Sequence, residues 1–158
     1  MELAVESLEE NWNEMIRLAV DHWHETEMYR HGQKFAPSYD RYVQYEKAGC
    51  LFMCIARDKG EMVGYAIMFV MPSMHTQKVI ATEDTYFLLP SHRKGRNALN
   101  LLKFAEDECR KRGAVEVMMT AKLTNNAGRI LELRGYKEVA KQYSKQFSAD
   151  SVQTTSNL

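Results

Sequence analysis

Residues 50–71, CLFMCIARDKGEMVGYAIMFVM, leave the chain few options. Two apolar runs, 50–57 and 62–71, flank the polar stretch RDKGE, whose Lys-Gly pair bounded by Asp and Glu suits a tight hairpin turn. The expectation is a pair of antiparallel strands, with the methionines in both runs filling core space. Neither run is long enough to cross a bilayer. Met1 is followed by acidic residues rather than by a basic segment and an apolar signal core, so the expected location is the cytoplasm, with no membrane partner.

The remaining punctuation organises 158 residues into one domain of 1–147 and a polar tail of 148–158. LAVESL reads as a short first strand. Leu8 to about Glu27 reads as a helix, because Trp12, Met15, Ile16, Val20 and Trp23 recur at helical spacing. Ser38 caps a second helix that stops at Gly49. After the hairpin, a strand over 78–89 is halted by Pro90. A third helix runs from about Asn97 to Arg112, with Arg110, Lys111 and Arg112 suiting its negative end. AVEVMMTA reads as a fifth strand, Thr124 as the cap of a fourth helix ending at Gly135, and YKEVAKQYSKQF as a sixth strand. The predicted class is a mixed α/β (α+β) fold in the order β-α-α-β-β-β-α-β-α-β. Cys50, Cys54 and Cys109 lack the paired spacing of a zinc site or disulfide scaffold and read as reduced thiols.

Lys plus Arg equals Asp plus Glu at 21 each, so no global field draws the chain to nucleic acid, and any basic site is local. One such site is the loop HRKGR between the strand ending at Leu89 and the third helix. A strand entering a helix through a glycine-containing basic turn aims free N–H groups and the positive helix end at one point, which makes an anion site. The loop is neither a Walker loop nor a dinucleotide-binding Gly-x-Gly-x-x-Gly. Nucleic-acid binding through HRKGR would need aromatic side chains interleaved with the charge, and there are none.

From LLPSHRKGRNALNLLKFAEDECRKRG and TNNAGRILELRGYKEV, the chain resembles the GCN5-related N-acetyltransferases. The shared features are an apolar-x-Pro strand end, an Arg-led glycine loop, a helix rich in Leu, Ala and Glu, and a last helix closing on a Gly-aromatic step. The likeness is specific over 82–147 and looser before it. The Arg93-Lys94-Gly95-Arg96-Asn97-Ala98 loop, with its glycine one place early, is most similar to the phage- and prophage-encoded members. The resemblance implies a sheet whose central strands splay apart to admit acetyl-CoA. Phe87, Leu88 and Leu89 would then offer main-chain groups to the pantetheine arm, and Arg93, Lys94, Gly95, Arg96, Asn97 and Ala98 would hold the pyrophosphate.

The implied reaction is acetyl transfer to a primary amine of a small molecule or protein, and a homodimer is compatible with it. Asp84 would take the ammonium proton through water, and the Leu88 N–H would polarise the thioester carbonyl. The tyrosine that commonly acts as acid in the last helix is replaced by Leu131. Tyr143 is the substitute candidate, with Tyr86 behind it; the alternative for Tyr143 is a core aromatic in line with Val139 and Phe147. A period of two puts Thr82, Asp84, Tyr86 and Leu88 on one strand face. His22, His24 and Glu25 resemble metal ligands, but helix positions two apart point about 200° from each other, so no shared ion is expected. In the acceptor-binding segment of the family lie Glu25, Tyr29 and Tyr39, expected with Thr82 and Tyr86 to hold the acceptor. The Leu131 replacement keeps open a second reading, a coenzyme-A-binding or partner-binding module without catalysis.

Overall fold

The computed structural model describes residues 1–27, 29–30 and 32–147, so the predicted 148–158 tail lies outside the described residues. The chain runs β1 (Glu2–Glu6), α1 (Leu8–Thr26), α2 (Tyr39–Lys47), β2 (Leu51–Asp58), β3 (Glu61–Pro72), β4 (Val79–Leu88), a 3₁₀ turn (Pro90–His92), α3 (Asn97–Lys111), β5 (Glu116–Met118) and α4 (Ala127–Leu133). The strands form one sheet in chain order, antiparallel from β1 to β4 and parallel between β4 and β5. Lys59 and Gly60 both have positive φ, the signature of the tight turn expected between β2 and β3.

Two cores sandwich the sheet. Met15 and Leu18 of α1 and Val43 of α2 meet Met53, Ile55, Tyr65, Ile67 and Phe87 on one face. Leu101, Ala105 and Cys109 of α3 meet Cys54, Ala66, Met68, Ala81 and Leu88 on the other. Residues 51–56 of β2 are buried on both faces, which explains their unbroken apolar run. Ser7 caps α1 by accepting from the Glu10 N–H (3.3 Å), and Glu46 of α2 reaches over to accept from the N–H groups of Leu8 (2.6 Å) and Glu9 (3.1 Å). Arg57 ties β2 to β1 and α1 through Glu6 (2.8 Å) and Glu14 (2.9 Å).

Four sequence readings are corrected. The segment 136–147 forms no strand, and Val139, Tyr143 and Phe147 are 86%, 87% and 72% exposed. β5 is only three residues long and offers too short an edge to pair such a strand. Just past its end, the Thr120 N–H donates to the Glu83 side chain (3.1 Å) rather than to the β4 backbone. The fourth helix is preceded by Asn126 rather than by Thr124, with the Asn125 side chain accepting from the Ala127 N–H (3.0 Å).

The fourth correction concerns β4. Ile67 pairs with Thr85 and Met68 with Glu83, so Asp84 is the extra residue of a β-bulge. The period of two breaks there. Thr82, opposite Phe69, shares the α1/α2 face with Asp84, Thr85 and Phe87, whereas Tyr86 and Leu88 turn to the α3 face with Ala81.

Candidate active site

β4 and β5 pair over Ile80–Thr82 and Glu116–Met118, and β4 then runs on to Leu88 beside β3 but without β5, so the two strands part as the resemblance implied. Leu89 donates to the Val63 carbonyl (2.8 Å), and antiparallel alternation assigns the Phe87 backbone to the same ladder. Of the three residues expected to offer main-chain groups, only Leu88 therefore turns its backbone away from β3 and towards the gap. The alternation leaves its N–H without an acceptor on β3. Gly64 allows this approach: a Cβ there would lie 2.6 Å from Leu88 Cδ1 and 2.7 Å from the Phe87 carbonyl oxygen. Sequence reasoning did not mark Gly64, which sits unremarkably inside a strand pattern.

Beyond β4, the chain enters α3 without a side-chain cap. The N–H groups of Gly95, Arg96, Asn97, Ala98 and Leu99 meet no acceptor among the described residues, as a free helix start requires. Gly95 has φ +65°, with no atom near the place a Cβ would take. Lys94 and Arg96 are exposed and form no ion pair among the described residues. These groups fit a diphosphate anion.

Arg93 is different. Its Nη atoms donate to both carboxylate oxygens of Glu25 (2.9 and 2.6 Å), its Nε donates to the Leu88 carbonyl (2.7 Å), and its guanidinium lies 5.3 Å from the Phe87 ring centre. Two residues expected to serve a phosphate and an acceptor are instead clamped to each other, fastening the end of α1 to the end of β4. The same turn is held by the Asn97 side chain on the His92 carbonyl (3.0 Å) and by the Tyr86 hydroxyl on the Ala98 carbonyl (2.6 Å). Tyr86 is thus committed to α3 on the face away from α1 and α2, because the bulge reverses its direction.

Asp84 lines a cavity of about 480 Å³ between α1, α2 and the sheet. Its carboxylate accepts from the Tyr42 hydroxyl (2.7 Å). Burial raises the Asp84 pKa against the opposing effect of that bond. Burial likewise raises Glu83, which accepts from Thr120 and feels the Asp84 charge. The Tyr42 hydroxyl is pushed well above its ordinary range by burial and by Asp84. His22 hydrogen-bonds with the Tyr65 hydroxyl (3.0 Å) and stacks on Phe87 at 4.8 Å, and burial pushes its pKa down to about 4. Among the described residues no group of three metal-ligating side chains converges, and His22 faces an aromatic wall.

The cavity shares Tyr29, Arg30, Thr120 and Lys122 with a larger open cleft of about 1930 Å³. Tyr143 and Leu131 line that cleft, on the side of β5 and α4. Tyr29 therefore stands at the junction of both spaces. Tyr39 does not reach the cavity, because it packs edge-on against Trp12 on the outer seam of α1 and α2 (5.3 Å). The tyrosine that does reach in is Tyr42, one turn further and beside the buried Val43. Thr82 is exposed on β4 beside the start of the gap.

No curated protein matches the sequence. Solved structures match the fold. Ribosomal-protein-alanine N-acetyltransferase from Brucella melitensis biovar Abortus 2308 is 18% identical with a TM-score of 0.71, over 93% of this chain and 100% of that one. The aminoglycoside acetyltransferase HMB0005 from an uncultured soil metagenomic sample is 15% identical with a TM-score of 0.74, over 94% and 100%. An acetyltransferase of Trypanosoma brucei is 16% identical with a TM-score of 0.69, over 92% and 99%. The profile of the acetyltransferase (GNAT) family matches residues 10–132, from α1 through the parting strands and the α3 loop into α4, and the chain belongs to that family.

Proposed function

We propose that the chain transfers an acetyl group from acetyl-CoA to a primary amine. The observation that carries this reading is the position of the Asp84 cavity. It opens into the cleft on the β5 side, while further along β4, beyond the point where β5 leaves it, the Leu88 N–H turns away from β3 and the start of α3 leaves its N–H groups free. Lys94, Arg96 and the N–H groups from Gly95 to Ala98 would hold the diphosphate, with Asn97 stiffening the loop through His92. Bound acetyl-CoA supplies an activated thioester.

The chain's own groups do the rest. The Leu88 N–H is a fixed donor for negative charge developing on a carbonyl oxygen. Asp84, held above the usual carboxylate range by burial, takes the ammonium proton. Four residues along a strand span about 13 Å, so the proton leaves the reacting end of the gap through a relay rather than by direct contact. Tyr143, on the cleft wall, is the candidate donor to the departing thiolate. We assign the Arg-x-Gly-Arg loop to a phage or prophage lineage and the activity to the cytoplasm.

One observation favours a second reading. Leu131 occupies the usual acid position, and the Tyr143 hydroxyl makes no hydrogen bond among the described residues; a coenzyme-A-binding module without turnover would have the same features. Acetyl-CoA titration by thermal shift, followed by amine-dependent release of free thiol, separates the two. Stabilisation by acetyl-CoA with thiol release expresses transfer, stabilisation without release from any amine expresses the module, and no stabilisation removes both.

A further inference from the structure

From the charge and walls of the Asp84 cavity we infer that the acceptor is a small monoamine with a flat aromatic body, and not a polyamine or an aminoglycoside. This rests on the acetyl-transfer reading for what happens to the amine, but not for whether the amine binds.

Glu83 and Asp84 are adjacent carboxylates on the cavity wall, and no Lys or Arg among the described residues forms an ion pair with either. Each has a single neutral donor, the Thr120 N–H and the Tyr42 hydroxyl. Lys122, on the same cavity, acts on Glu83 only at a distance and is itself paired with Glu27, so neither carboxylate has a cation in direct contact. His22 does not supply one, since burial keeps the imidazole neutral at physiological pH. The Thr85 hydroxyl, next along the wall, is buried without a hydrogen-bond partner and is a further polar group awaiting a ligand N–H. A ligand ammonium linked to this wall through water, as the distance from Asp84 to Leu88 requires, satisfies all three.

The rest of the cavity selects the body. Trp23, Phe35, Tyr42 and Tyr65 line it, with Met15 and Ile16 between them. Trp23 and Phe35 lie 5.6 Å apart at 44°, a wall suited to a flat ring. The volume of about 480 Å³ is at the small end of ligand cavities. Where the cavity meets the cleft, Arg30 and Lys122 both pair with Glu27, and Lys34 also lines the cavity. One carboxylate shared by two cations, with a third cation nearby, leaves positive charge around a second or third ammonium.

The test is binding to the free full-length protein by calorimetry, and thiol release with acetyl-CoA, for 2-phenylethylamine, methylamine, spermidine and kanamycin. 2-Phenylethylamine should bind at least tenfold more tightly than methylamine or spermidine. Asp84→Asn and Glu83→Gln should each lower its affinity about tenfold. Trp23→Ala should lower its affinity while leaving methylamine unchanged, which distinguishes a lost wall from a misfolded protein. Binding of 2-phenylethylamine without any response to acetyl-CoA would keep this inference and sink the transfer reading. Preferential binding or acetylation of spermidine or kanamycin would overturn the inference and leave the transfer reading intact. Absence of binding by 2-phenylethylamine would also overturn it.

Discussion

Replacing Arg93 by alanine should damage the fold more than it damages the hold on acetyl-CoA, opposite to what an Arg at the head of an anion loop suggests. The side chains of Arg93 and Glu25 are 38% and 31% exposed, so their bidentate pair is discounted to about 0.5 kcal/mol. The Nε bond to the Leu88 carbonyl adds about 1 kcal/mol. The stack on Phe87 adds about 0.5 kcal/mol. Arg93→Ala should therefore cost about 2 kcal/mol, a fall in Tm of about 4–8 °C for a chain of this size. Glu25→Gln keeps the other two contacts and should cost about 0.5 kcal/mol. Urea titrations with unchanged m-value measure both. Lys94→Ala and Arg96→Ala, at exposed positions without partners, should leave the urea midpoint alone and each weaken acetyl-CoA about fivefold, an effect that shrinks with added salt. An Arg93→Ala protein of wild-type stability that binds acetyl-CoA tenfold more weakly would refute the clamp and return Arg93 to the phosphate.

Gly64→Ala forces a methyl into the Phe87–Leu88 backbone and should cost about 1–3 kcal/mol, with kcat falling more than Tm alone explains. Asp84→Asn should slow the chemical step by about 10² to 10⁴, abolishing the limb of the pH–rate profile that rises through the ionisation of an elevated carboxylate; full rate across that range would remove Asp84 as base. The same variant has a stability signature. A carboxyl whose pKa is raised by folding contributes stability below its unfolded value of about 4 and loses it as pH rises through the folded value, so Asp84→Asn should gain Tm relative to wild type at pH 7 and not at pH 3. Gly95→Val, at φ +65°, should cost about 1–2 kcal/mol of backbone strain and weaken acetyl-CoA by putting a side chain into the open space proposed for the diphosphate, measured by thermal shift with and without ligand.

The elements with strong local signals were legible. The hairpin announced itself through Lys59-Gly60, α1 through its apolar stripe, and the α3 loop through glycine and charge between a strand and a helix. What failed did so for non-local reasons. A strand pattern in 136–147 needs an edge to pair with, and nothing in those residues reports that β5 stops after three. The partner of Arg93 lies 68 positions away, on a helix end no local rule connects to the loop. The choice of Tyr42 over Tyr39 depends on which side of α2 meets the sheet. The sequence also contains no mark of the bulge, since TEDTY alternates acceptably in either register.

That bulge makes the strand tolerant of a change that would ordinarily be ruinous. Removing one residue from a central strand normally reverses every side chain beyond the cut, yet between Glu83 and Thr85 a one-residue deletion would bring the ladder into even step, with Ile67 and Met68 facing consecutive partners. Tyr86, Leu88 and the α3 contacts would keep their faces. The shortened protein would fold with a more regular sheet and one carboxylate fewer at its cavity. With Asp84 as the proposed base, a family member would pass from enzyme to binding scaffold through the loss of a single codon, and homologues aligned by length alone across this strand would conceal that step.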